Sequence, residues 1–107
     1  TPIEEEKTLG ILSHALASFT WILGPLIIYL LKRNESEFAT RHARESMNFQ
    51  ITLSISYFIL SFIDLFNIGR VLISTLGVIE FILIVIASYR AYEGKLYTYP
   101  FNFRFIK

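Results

Sequence analysis

Residues 71–92 read VLISTLGVIEFILIVIASYRAY. At about 1.5 Å rise per residue, such a run reaches roughly the 30 Å of a bilayer's hydrocarbon core. Glu80 is the only acidic residue near the middle of any apolar run in the chain. A carboxyl at such a depth costs on the order of 3 kcal/mol by insertion scales, so it is expected to be paired or functional. The run therefore predicts a membrane-spanning helix with one polar group to satisfy.

Two further stretches, Leu9 to Leu31 and Met47 to Phe66, are also long enough to cross. The expected fold is an all-α membrane protein with three transmembrane helices at about 9–31, 45–66 and 71–92, and a tail over 93–107. A chain of 107 residues with 53% apolar content leaves little for a soluble domain, so one compact membrane unit is expected. There is no cysteine, which excludes disulfides and thiolate metal sites. A net charge of +1 gives no reason to expect nucleic acid as a partner. The first run is too long for a signal-peptide h-region and follows Glu4, Glu5 and Glu6 instead of a basic segment. It is expected to be a retained helix.

Short loops rich in Lys and Arg stay cytoplasmic. With three crossings, Lys32, Arg33, Arg41 and Arg44 share a side with Arg90, Lys95, Arg104 and Lys107, leaving Lys7 and Arg70 opposite. That distribution predicts an outside N-terminus and a cytoplasmic C-terminus in a multi-pass protein, most simply in a prokaryotic cell (inner) membrane.

Local signals refine the helices. Gly10, Ser13, Ala17 and Gly24 form a small-residue stripe for close packing, and Pro25 is expected to kink the first helix. Ser36 is the expected N-cap of an extension leading into the second span. On that helix His42, Glu45, Ser46, Phe49, Leu53, Ser56, Leu60 and Asp64 fall on the face expected inside. Met47, Ile51, Ile55, Phe58, Phe62 and Leu65 fall on the face expected toward lipid. A tight outer turn is expected at Asn67 to Arg70 around Gly69. In the tail, aromatics occupy every odd position from Tyr97 to Phe105, which predicts an extended interfacial segment whose Arg104 and Lys107 meet anionic lipid.

Three separated motifs carry a family resemblance. They are Gly24-Pro25 through Ser36; His42, Glu45, Asn48, Phe49 and Gln50; and Glu93-Gly94 with Tyr99-Pro100 and Arg104-Phe105-Ile106-Lys107. Over nearly its whole length the chain resembles a widespread prokaryotic family of small membrane proteins of unknown function. By helix pattern and the Asn-Phe-Gln motif, that family is similar to the chloroplast inner-envelope protein-import channel component. The resemblance implies that these motif residues mediate interactions, in a setting related to translocation.

The residues themselves offer little catalysis. His42 and Glu45 lie one helical turn apart, too few ligands for a metal, and are expected in a surface salt-bridge network with Arg41 and Arg44. No nucleophile with its base, phosphate loop or metal tetrad is present, so neither an enzyme nor a cofactor is expected. Tyr57, Ser18 and His14 reach depths near that of Glu80, and the four are expected to form an intramembrane polar cluster. Two functions follow: an accessory or interaction subunit of a larger membrane complex, or an oligomeric proton- or solute-conducting unit using Glu80 and His14.

Overall fold

A computed structural model of the protein describes residues 2–63 and 67–107. Five helices follow one another: α1 (Glu4–Ala15), α2 (Ala17–Thr20), α3 (Leu23–Lys32), α4 (Glu37–Leu60) and α5 (Ile68–Tyr92). Among the described residues there is no strand. The expected all-α class holds. The predicted span end at Phe66, and Asp64 and Leu65 on the second helix, lie outside the described residues.

Among the described residues α5 is the one helix long and apolar enough to cross a bilayer. Val71, Val78, Phe81 and Val85 are exposed along it, whereas Ile84, Ala87 and Ala91 are buried. Half of α4 is different. Ser36 caps it, accepting from the Ala39 amide at 3.1 Å, and its first turns carry Glu37, Arg41, Arg44 and Glu45. Only the part from Met47 onward is apolar. His42, Glu45, Ser46, Phe49 and Leu53 are buried as expected, and Ile55, Phe58 and Phe62 are exposed. Met47 departs from its assigned lipid face and is buried, because the inward arc widens where α1 and α3 both pack on α4.

The first apolar run is not one helix. The chain stays helical through α1 and α2, then reverses at Trp21, which adopts φ 57° and ψ −124°. From there α3 runs back along α1. Lys32 Nζ comes within 3.5 Å of Glu5 Oε1, and the Ser36 hydroxyl donates to Glu6 at 2.5 Å. The reversal is locally built. Thr20 Oγ1 donates to the Leu16 carbonyl and accepts from the Gly24 amide, and a Cβ on Gly24 would sit 2.7 Å from that same oxygen. Pro25 does not kink a helix; it lies in the first turn of α3, where its missing N–H has no intrahelical partner to lose. Trp21 Nε1 donates to Ser54 at 2.8 Å, pinning the hairpin tip well along α4 but short of its end.

This hairpin brings the start of the chain to the same end as the Lys32–Ser36 loop and the tail. A Cβ on Gly94 would meet Lys7 at 3.1 Å and Pro2 at 3.7 Å. Lys7 thus joins the eight basic residues already grouped, and only Arg70 of the ten lies at the opposite end. The placement of the termini at opposite ends, drawn from a continuous first helix, does not follow from this geometry.

α1 packs against both α4 and α5, while α4 and α5 make few contacts with each other. Gly10 allows this, since a Cβ there would meet Ala91 and Phe38 at 3.0 Å. Toward the far end Gly69 and Arg70 lie inside α5 instead of in the expected turn, and Asn67, just before the helix, is left-handed at φ 65°. Gly69 is needed for close approach: an added Cβ would fall 1.7 Å from the Ile63 carbonyl oxygen. After α5, Gly94 at φ 78° turns the chain, and the tail returns over α4. Phe101, Phe103 and Phe105 are exposed. Tyr99 is only 2% exposed and belongs to the core.

Candidate functional site: a polar core that fastens the tail

Three elements meet at His14 of α1, His42 of α4 and Tyr99 of the tail. His42 Nε2 lies 2.8 Å from the Lys95 carbonyl, His42 Nδ1 lies 2.8 Å from His14 Nε2, and His14 Nδ1 lies 2.6 Å from the Tyr99 hydroxyl. A carbonyl can only accept, so His42 carries its proton on Nε2 and accepts through Nδ1. His14 therefore donates from Nε2 and accepts the Tyr99 O–H on Nδ1. One direction runs through the chain, and both rings are neutral in it. Burial pushes the Tyr99 phenol well above its ordinary pKa, which keeps it a donor. Burial also lowers the pKa of His42, with Arg41 adding to the effect and the Lys95 carbonyl opposing it.

Below this relay, Glu45, Asn48 and Thr52 share one face of α4 and capture the tail backbone. Glu45 Oε2 accepts the Tyr99 amide at 2.6 Å and pairs with Arg104 at 3.3 Å. Asn48 accepts from the Ile106 amide at 2.7 Å and donates to the Ile106 carbonyl at 2.9 Å. Thr52 Oγ1 accepts the Phe103 amide at 3.1 Å, and Asn102 donates to the Glu45 carbonyl. Phe49 stacks on Tyr99 with ring centres 3.8 Å apart and planes within 4°. An extended segment has no ladder of its own, so these side chains supply the partners its peptide groups need.

The motif residues His42, Glu45, Asn48, Phe49, Tyr99 and Arg104 are thus brought together. Pro100 follows Tyr99 at the surface. Gln50 is buried on α4, and its amide nitrogen has no partner among the described residues. The expected surface network of His42 and Glu45 with Arg41 and Arg44 does not form, because both residues turn inward to the tail. Arg41 instead faces Glu37 at 3.9 Å.

The expected intramembrane cluster divides. Tyr57 donates to Glu80 Oε1 at 2.8 Å, joining α4 to α5. His14 is committed to His42 and Tyr99, and Ser18 is exposed on α2. Beside Glu80 lies an apolar cavity of about 400 Å³, lined by Leu76, Leu83, Phe101 and Phe103 among others. Sequence reasoning missed Thr52, Asn102 and the Trp21–Ser54 bond. Thr52 lies one turn beyond Asn48 on the same face, a signal that was legible; the other two had none.

Comparison with known proteins agrees with a membrane protein. The model of the magnetosome magnetite crystal formation protein family matches residues 5–106. A UPF0132 membrane protein of Archaeoglobus fulgidus is 32% identical over 89 residues, covering 81% of this chain and 84% of that protein. No solved structure matches. The family match spans the apolar helices and every residue of the polar core, and the chain belongs to the magnetosome magnetite crystal formation protein family of small prokaryotic membrane proteins.

Proposed function

We propose that the protein is a non-enzymatic interaction or accessory subunit of a larger membrane complex, inserted from the cytoplasmic side of a prokaryotic cell membrane. In this reading α5 and the apolar part of α4 cross the bilayer, and α1 to α3 form a re-entrant hairpin. Both termini are cytoplasmic, because nine of the ten basic residues gather at their end. The observation that carries the functional reading is how the polar groups are used. Glu45, Asn48, Thr52, His14 and His42 are all engaged in fastening the protein's own tail and helices, while the apolar flank of α5 stays uncovered. Such a flank suits lateral packing in lipid against another helix. A translocation assembly is the class of complex implied by the motif resemblance to the plastid import component. The crystal formation named in the family's description would likewise be exercised through an assembly.

Affinity purification from native membranes, followed by mass spectrometry, tests this reading. A stoichiometric membrane partner is expected. A second reading, an oligomeric proton- or solute-conducting unit, rests on the Tyr57–Glu80 pair beside its apolar cavity. A partner-free homo-oligomer that conducts in liposomes would replace the first reading with the second.

A further inference from the structure

A second cavity, of about 370 Å³, opens between the first turns of α4 and the tail, and it falls within the usual size range of small-ligand sites. Arg41, Arg44, Arg104 and Lys107 line it, together with Asn48 and Glu45. Glu45 is the single side-chain carboxylate in that lining, and it is committed to the Tyr99 amide and to Arg104. Among the described residues no carboxylate lies within 4.0 Å of Arg44 or Lys107, and the Arg41–Glu37 pair is a long one at 3.9 Å on an exposed helix face. Positive charge is therefore gathered in a concave site without matching negative charge. Guanidinium groups present planar forks of N–H donors that fit phosphoryl oxygens two at a time. Leu96 and Ile106 on the same walls add apolar surface.

We propose that this cleft binds a phosphoryl anion, carried by an anionic phospholipid headgroup or by a soluble phosphate. The headgroup source rests on the orientation proposed above, which sets the cleft where the apolar part of α4 ends. Binding has a structural consequence. Arg104 and Ile106 belong both to the cleft and to the stretch of tail held by Glu45 and Asn48, so an occupied cleft holds the tail more firmly against α4.

The test uses the full chain in neutral detergent, with phosphatidylglycerol, phosphatidylcholine and inorganic phosphate as separate probes. Native mass spectrometry reads retained lipid, and hydrogen exchange reads tail amides 103–107. Phosphatidylglycerol is expected to be retained over phosphatidylcholine, and Arg41→Gln with Arg44→Gln to cut that retention about tenfold. Arg41→Lys with Arg44→Lys should keep most of it, as should Arg33→Gln with Arg70→Gln, whose side chains lie outside the cleft. Protection of the tail by phosphatidylglycerol alone assigns the headgroup; equal protection by inorganic phosphate assigns a soluble ligand. The proposal is overturned if neither probe protects the tail, or if the Gln pair, folded by circular dichroism, keeps the full lipid preference. Neither readout depends on which side of a membrane the cleft faces, so a wrong orientation would be exposed separately by labelling of the termini.

Discussion

His14 donates from Nε2 to Nδ1 of His42 at 2.8 Å, and that single contact leaves His42 no place for a second ring proton. Protonation would set N–H against N–H unless His14 and Tyr99 both reversed. Burial, its largest cause, already holds the His42 pKa below the ordinary value near 6.5. The unfolded chain then binds more protons than the folded one just below pH 6.5, so this contribution to stability is complete above that pH and declines as pH falls through the window. Unfolding of the reconstituted protein in sodium dodecyl sulfate between pH 7.5 and 5 should show the decline. His42→Gln should start less stable and show a shallower slope; an unchanged slope would remove His42 from the account.

How much of this was legible varies with the physics of each element. α5 and the Ser36 cap follow from apolar run length and capping chemistry, which are local. The hairpin of α1 to α3 does not, because in lipid an apolar helix that crosses and one that turns back present the same composition. Its turn depends on Trp21 taking a positive φ that few non-glycine residues adopt. Gly24-Pro25 was the available clue, since proline suits a helix's first turn better than its middle. The relay was hidden for a different reason: His14, His42 and Tyr99 are far apart in sequence, and a histidine's partner cannot be inferred from its neighbours.

The two close-packing glycines should differ in cost. At Gly10 an added methyl meets the Phe38 ring edge, which can swing aside, and Ala91 Cβ, which moves only with α5, both at 3.0 Å, whereas at Gly69 it would strike the Ile63 carbonyl at 1.7 Å. Gly10→Ala should destabilise by about 1 kcal/mol and Gly69→Ala by about 3 kcal/mol or more. Equal unfolding midpoints for the two variants would contradict the packing at the α4–α5 turn.

Topology can be read cleanly because the chain has no cysteine of its own. Single cysteines at Thr8 and Lys107 should resist a membrane-impermeant maleimide added to intact cells and react once the membrane is opened. A cysteine at Arg70 should react from outside in both conditions. Labelling of Thr8→Cys from outside would restore a first helix that crosses.

Asn48 should behave as a clasp. Removing it breaks both of its bonds to Ile106, each worth a net of about 1 kcal/mol. Asn48→Ala should speed hydrogen exchange at the Ile106 amide by one to two orders of magnitude while leaving α5 amides unchanged. Asn48→Asp, which keeps the acceptor and loses the donor, should fall between. Should α5 loosen in parallel with the tail, Asn48 would be supporting the whole bundle instead of the clasp.

The Tyr57–Glu80 bond makes the sharpest distinction between structure and conduction. It joins α4 to α5 where the two helices otherwise touch little, and it satisfies one oxygen of the carboxyl embedded in the apolar helix. Interhelical hydrogen bonds in bilayers average about 0.6 kcal/mol and reach about 1.7 kcal/mol. Tyr57→Phe should therefore cost about 1 kcal/mol. Glu80→Gln retains an acceptor for the phenol and should be nearly neutral, while Glu80→Leu leaves Tyr57 without its partner and should match or exceed the cost of Tyr57→Phe. Unfolding in bicelles measures all three, and the double variant Tyr57→Phe with Glu80→Leu should cost less than the sum of the singles because the pair is lost once. If Glu80→Leu proves as stable as the parent, the pair is not holding α4 to α5. If Glu80→Gln keeps full stability yet abolishes a proton flux measured in liposomes, the carboxyl serves conduction, and the accessory-subunit reading yields to it.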